Sequence, residues 1–330
     1  MSASSVDPHN HLALGTLFGL ASAIGYTAAN TCLRAASDYD PIWVSAVKAV
    51  PTLFFVGPWV LMLAMRGQKV LPRADVIGKL ILAGLVGQLG GNVLFQWSLG
   101  VIGMALTVPL ALGTIILGGA LLGRIFLHEP LTIKTLVSTL VLIVAISVLS
   151  LGADEAHRSV VGPDVSLDPW LLTRGVAAAV AAGLAYSILG VVIRYGVTGR
   201  TSVSMTLCII SMVGIVSLGA GSMWRIGWAG MLATNGWDFQ VMLWAGLFNA
   251  AAFLAITKAF QVASVVYVNA LNATQAAMAA VAGVFFFQES LSTELGLGIV
   301  LTIAGLLLMR NGGRSKRNVQ LAATPPAGGQ

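Results

Sequence analysis

The chain has 330 residues, 57% of them hydrophobic and 9% charged, with a formal net charge of +6. A soluble domain carries about 25% charged residues, so this chain has too few charges to cover a water-facing surface. Lipid is the solvent for most of it. The basic excess sits in short loops beside apolar segments, which is a membrane-topology pattern and excludes nucleic acid as a partner.

The first segment, 1–11, lacks Lys and Arg, and so lacks the basic region of a cleavable signal. It reads as a cytoplasmic tail before a retained helix. Ten apolar runs follow, at about 12–35, 41–65, 76–98, 102–126, 132–151, 170–195, 201–223, 238–259, 263–287 and 291–310. A hydrocarbon core about 30 Å thick needs roughly 20 apolar residues per helix, whereas a membrane strand needs about 9–11 with period-two alternation. These runs are longer and do not alternate, so the expected fold is an all-α polytopic membrane protein with ten transmembrane helices. Runs three and four, and runs eight and nine, are joined by turns so tight that each pair must be an antiparallel hairpin. Cys32 and Cys208 both lie in apolar runs and have the spacing of neither a disulfide framework nor a metal site.

The acidic segment 152–169, with Asp154, Glu155, Asp164 and Asp168, divides five runs from five. With the N-terminus inside, thirteen of the eighteen Lys and Arg residues fall in cytoplasmic segments and four outside, with Lys48 within a span. That bias places both termini in the cytoplasm and the acidic linker outside, in a cell inner membrane. The tail 311–330 turns from basic to Ala-, Pro- and Gly-rich and is expected to be disordered. At an offset of 160 residues the halves 12–151 and 170–310 match: Gly15 with Gly175, Tyr26 with Tyr186, Arg34 with Arg194, Thr114 with Thr274, and Glu129 with Glu289. Tyr, Arg and Glu are scarce here, so those matches carry weight. An odd number of helices per half makes this a 5+5 inverted-topology repeat about an axis in the membrane plane.

Two stretches carry a family likeness. Leu127-His128-Glu129-Pro130-Leu131-Thr132 ends the fourth run, and Phe287-Gln288-Glu289-Ser290-Leu291-Ser292 ends the ninth. Ser98-Leu99-Gly100-Val101 and Ala259-Phe260-Gln261-Val262 precede the tight turns, Pro109 lies in the fourth run, and Lys48 lies in the second. The chain resembles the EamA-type members of the drug/metabolite transporter superfamily over about 12–151 and 170–310. It departs where Asn269 stands opposite Pro109 and Cys208 opposite Lys48. The resemblance implies ten helices, with export or exchange of amino acids or other small metabolites by alternating access. No cofactor is implied.

Candidate substrate-binding residues are the polar groups within the runs. Lys48 is the only formal charge well inside a span; it either meets a substrate anion or snorkels outward. Gln88, Asn92 and Gln96, at i, i+4 and i+8, share one stripe and either hold a polar solute or glue helices. Asn269, Asn272 and Gln275, with Tyr267 nearby, form a second amide group. Tyr26 and Tyr186 are repeat-equivalent, and Asn30 lies one turn beyond Tyr26; they suit a site between the halves or aromatic packing. Glu129 and Glu289 suit a helix N-terminus, with proton handling as the alternative. The four histidines lie in tails or loops, and no P-loop pattern appears. The reading is a secondary transporter of small organic metabolites, with a small-molecule solute and the lipid bilayer as partners and a homodimer left open. A passive channel and an intramembrane enzyme or scaffold are the competing readings.

Overall fold

A computed structural model describes residues 8–128, 133–151, 155, 157, 158, 160, 168–272, 274–290 and 292–310. Glu129, Pro130, Leu131, Thr132 and Leu291 of the two motifs, Asp154 and Asp164 of the linker, and the tail 311–330 lie outside the described residues.

The first half opens with α1 (Pro8–Ala35) and α2 (Pro41–Met65). α3 (Ala74–Leu85) then runs through a π-helical segment, Val86–Val93, into α4 (Leu94–Phe126), and α5 (Ile133–Leu151) follows. The second half comprises α6 (Pro169–Val197), α7 (Val203–Arg225), a short α8 (Gly227–Leu232) and α9 (Gly236–Val262). It ends with α10 (Val265–Asn272), α11 (Gln275–Phe287) and α12 (Thr293–Arg310). Among the described residues there is no strand. Side-chain caps start the second-span helix at Asp40, α6 at Asp168, α7 at Ser202 and α9 at Asn235, each filling N–H groups a helix start leaves open.

The helical run Ala74–Phe126 has 53 residues, about 80 Å if straight, against a hydrocarbon core of about 30 Å. It is two spans. The break is Gly103, whose φ of 71° and ψ of 176° no helix contains. Ser98 and Thr107, nine residues apart, share a hydrogen bond of 2.9 Å between their hydroxyls, which requires the chain to double back. The hairpin expected from the tight turn is therefore present. Its counterpart in the second half is the extended residue Ala263 (φ −137°, ψ 161°) between α9 and α10.

The helices pack as an inverted pair of five-helix units. α1 packs on α9, and its repeat partner α6 packs on α3 and the π segment; α2 meets α7, and α5 meets α12. Each of these contacts crosses between the halves, and exchanging the halves returns the same set. This is an all-α polytopic membrane protein. Its periphery carries large exposed apolar side chains such as Phe54, Trp59 and Phe285, as a lipid-facing surface requires.

Glu289 corrects one expectation in detail. It serves a helix N-terminus, but that of the fourth span rather than its own. Its carboxylate accepts from the backbone N–H groups of Met104 (2.9 Å) and Ala105 (2.7 Å) just past the Gly103 break. Arg34 donates to the same carboxylate at 2.9 Å. A Cβ on Gly103 would lie 2.7 Å from Glu289 Oε1, so glycine serves here both for its positive φ and for space. Removing one member of a buried pair strands the other. Glu289→Ala is expected to cost about 3–5 kcal/mol of stability, against little for Glu294→Ala on the half-exposed start of α12. Thermal unfolding of the two variants in detergent checks this, and equal midpoints would contradict it.

Candidate functional site

Between the halves lies a cavity of about 160 Å³. Nine of the eleven candidate residues line it: Tyr26, Asn30, Lys48, Gln88, Asn92, Tyr186, Asn269, Asn272 and Gln275. α1, α2 and the π segment contribute from the first half, and α6, α10 and α11 from the second.

Asn92 is the hub of the wall. Its Oδ1 accepts from Lys48 Nζ at 2.7 Å and from the Tyr186 hydroxyl at 2.6 Å. Its Nδ2 donates to Gln88 Oε1 at 2.5 Å, and Gln88 Nε2 donates to the Ile210 carbonyl at 3.2 Å. The chain of bonds thus runs from α2 through the π segment to α6 and α7, tying the halves together and fixing which way each amide points. Gly91 makes the approach possible, since a Cβ there would meet the Tyr186 ring at 2.7 Å. On the opposite wall, Ser22 donates to Asn272 Oδ1 at 2.9 Å, again across the halves.

Lys48 does not snorkel. Its side chain is 5% exposed and turns into the cavity. The stripe Gln88–Asn92–Gln96 is not continuous either. The π segment Val86–Val93 winds a wider turn than an α-helix, so Gln96 leaves the register of the other two. Gln96 lies away from the cavity and donates to the Leu33 carbonyl at 2.9 Å. It ties α4 to α1. Tyr267 is also outside the cavity, sharing a hydrogen bond of 2.6 Å with the Thr16 hydroxyl. Asn269, Asn272 and Gln275 all reach the cavity, but from two helices, because the ninth span breaks between α10 and α11.

Sequence reasoning missed Thr52, Ser211 and Asn249, all of which line the cavity. Asn249 is an amide within an apolar run, and Thr52 is one turn from Lys48; both signals were present. The apolar part of the wall includes Phe95, Leu112, Leu189 and Phe253, drawn from four spans, the third, fourth, sixth and eighth.

At the end of the bundle that carries Glu289, further bonds cross the halves. Arg225 pairs with Asp40 at 2.6 Å, Tyr39 donates to Asp238 at 2.5 Å, and Trp43 Nε1 donates to Thr234 at 2.9 Å. The hydrogen bond to Asp238, foremost, holds the Tyr39 hydroxyl above its ordinary titration range. At the other end Lys79 donates to the Tyr195 hydroxyl at 3.2 Å on the exposed surface.

Asn92 and Gln96 give opposed expectations. Asn92→Leu removes the acceptor for Lys48 and Tyr186, and is expected to lower solute counterflow in proteoliposomes well beyond its effect on unfolding temperature. Gln96→Leu removes one tie worth about 0.5–1.5 kcal/mol and is expected to lower stability while counterflow per folded molecule is kept. The reverse pattern would show that Asn92 is the glue and Gln96 the solute contact.

The EamA-like transporter family model matches residues 13–151 and again residues 173–311. A solved crystal structure of a protein is similar over 91% of this chain and 97% of its own, with a TM-score of 0.65 and 15% identity, a likeness that speaks for the fold alone. No curated protein matches the sequence. The two matched stretches together span most of the chain and coincide with its two five-helix units; the chain belongs to the EamA-like transporter family.

Proposed function

We propose that the protein is a secondary transporter that moves small organic metabolites, amino acids or similar solutes, out across the inner membrane by alternating access. The observation that carries this reading is one cavity of mixed apolar and amide lining, built by both inverted halves, with bonds that cross between the halves at one end of the bundle. Such a site at the repeat interface is where rocking of one half against the other would expose a solute to either face.

Those bonds support a gated path over an open channel. At the repeat offset, Asp40 corresponds to Arg200 and Arg225 to Met65, so the Arg225–Asp40 pair itself has no repeat counterpart. Arg225 is 59% exposed, and an exposed pair is worth only about 0–1 kcal/mol. The basic bias of the loops supports placing that end outside and Lys79 and Arg200 in the cytoplasm. An enzymatic reading gains little, since among the described residues the cavity wall includes no histidine and no carboxylate.

Counterflow in proteoliposomes against a panel of amino acids, nucleosides and organic acids tests the proposal. Saturable exchange of at least one class, with no steady ion current, is the expected result. An unsaturable flux with a steady current would establish the channel reading instead.

A further inference from the structure

Lys48 reaches the cavity with more donors than the protein satisfies. An ammonium has three N–H donors, and the structure gives Lys48 one acceptor, Asn92 Oδ1, which Tyr186 also uses. The ion pairs among the described residues are Arg34–Glu289, Arg73–Asp75 and Arg225–Asp40, and none involves Lys48. Among the described residues no carboxylate lines the cavity. A buried cation without a counter-charge, inside the membrane, is costly and marks an ion or substrate path.

A second group points the same way. Thr52 lies one helical turn beyond Lys48 on the same face of α2 and lines the same cavity. It is 1% exposed, and its hydroxyl has no hydrogen-bond partner. A buried donor left unmet costs about 1–3 kcal/mol. One face of α2 therefore presents a cation and an unmet hydroxyl together. The wall around them is of two kinds: amides such as Asn30 and Asn269, which make no hydrogen bond among the described residues, and apolar groups such as Phe95, Leu189 and Phe253.

We propose that the solute of this cavity is held by its carboxylate, with Lys48 as counter-ion and the Thr52 hydroxyl as a second donor. This rests on the transport reading of the cavity and names its substrate class. One lysine balances one negative charge, so a monoanion or a zwitterion fits, and a phosphate dianion leaves charge unbalanced. The remainder of the solute lies on the apolar wall, and an amine, where there is one, meets the amide oxygens. A solute that is only cationic meets Lys48 with no acid to offset it.

Leucine, isocaproate and isoamylamine share an aliphatic part and differ in charge. Their binding to the purified protein in detergent, with inorganic phosphate as a fourth probe, tests the class. Leucine and isocaproate are expected to bind, and isoamylamine and phosphate to bind more weakly. Lys48→Gln and Asn92→Asp, which sets a carboxylate of the protein against Lys48, are each expected to weaken isocaproate binding by at least about tenfold. Lys48→Arg is expected to keep part of it. The proposal is overturned if Lys48→Gln binds isocaproate as the parent does, if isoamylamine or phosphate binds as tightly as isocaproate, or if neither carboxylate binds. Counterflow with the same preparations separates the two levels. Carboxylate binding without exchange would overturn the transport reading and support the class; exchange without charge preference would do the reverse.

Discussion

In hydrocarbon no water is available to a broken helix, so every freed N–H and C=O must find a partner within the protein. This constraint governs where the chain can depart from helical form. It does so at Gly103, at Ala263, through the π segment Val86–Val93 and between α10 and α11. At Gly103 the partner is explicit: the Glu289 carboxylate takes the first two N–H groups of the new helix and is itself neutralised by Arg34. One carboxylate thereby joins the first, fourth and ninth spans. The interior departures, the π segment and the α10–α11 break, carry Gln88, Asn92, Asn272 and Gln275 to the cavity wall. Both irregular segments border the cavity.

The inverted repeat gives the scaffold its symmetry, and the cavity breaks it. Tyr26 and Tyr186 face the same space from equivalent helices. Lys48 has only Cys208 as its counterpart, and Asp40 has Arg200. Lys48 and the Asp40–Arg225 pair are thus features that the repeat does not duplicate. A transporter with two equivalent faces needs no such difference. A difference of this kind lets one face open more readily than the other and gives the bound solute a fixed orientation.

Much of this was legible in the sequence, for reasons that can be named. Span length and scarce charge determine the fold class, and the tight turn at 99–103 determines the hairpin. The amides of apolar runs marked the cavity because lipid tolerates few of them. Three features were not legible. Gln96 left the stripe because a π turn alters the helical phase, and nothing in the run of residues around Gly90 and Gly91 announces one. Tyr267 found a partner in Thr16, a residue some 250 positions away. The bonds at the Glu289 end of the bundle join Tyr39 and Asp40 to Asp238 and Arg225, which sit at helix ends with no mutual signal until the halves are packed.

The central claim is that one cavity between the halves opens to one face at a time. The direct measurement uses Asn249→Cys, on the cavity wall, in a chain whose Cys32 and Cys208 are replaced by serine, reconstituted with known sidedness. A membrane-impermeant maleimide is applied from each face. With the Arg225–Asp40 and Tyr39–Asp238 bonds intact, labelling is expected from the face of Lys79 and Arg200 alone. Adding Asp40→Asn and Asp238→Asn is expected to admit the reagent from the opposite face. Labelling of the intact protein from both faces at once, or of neither form from either face, would contradict the account.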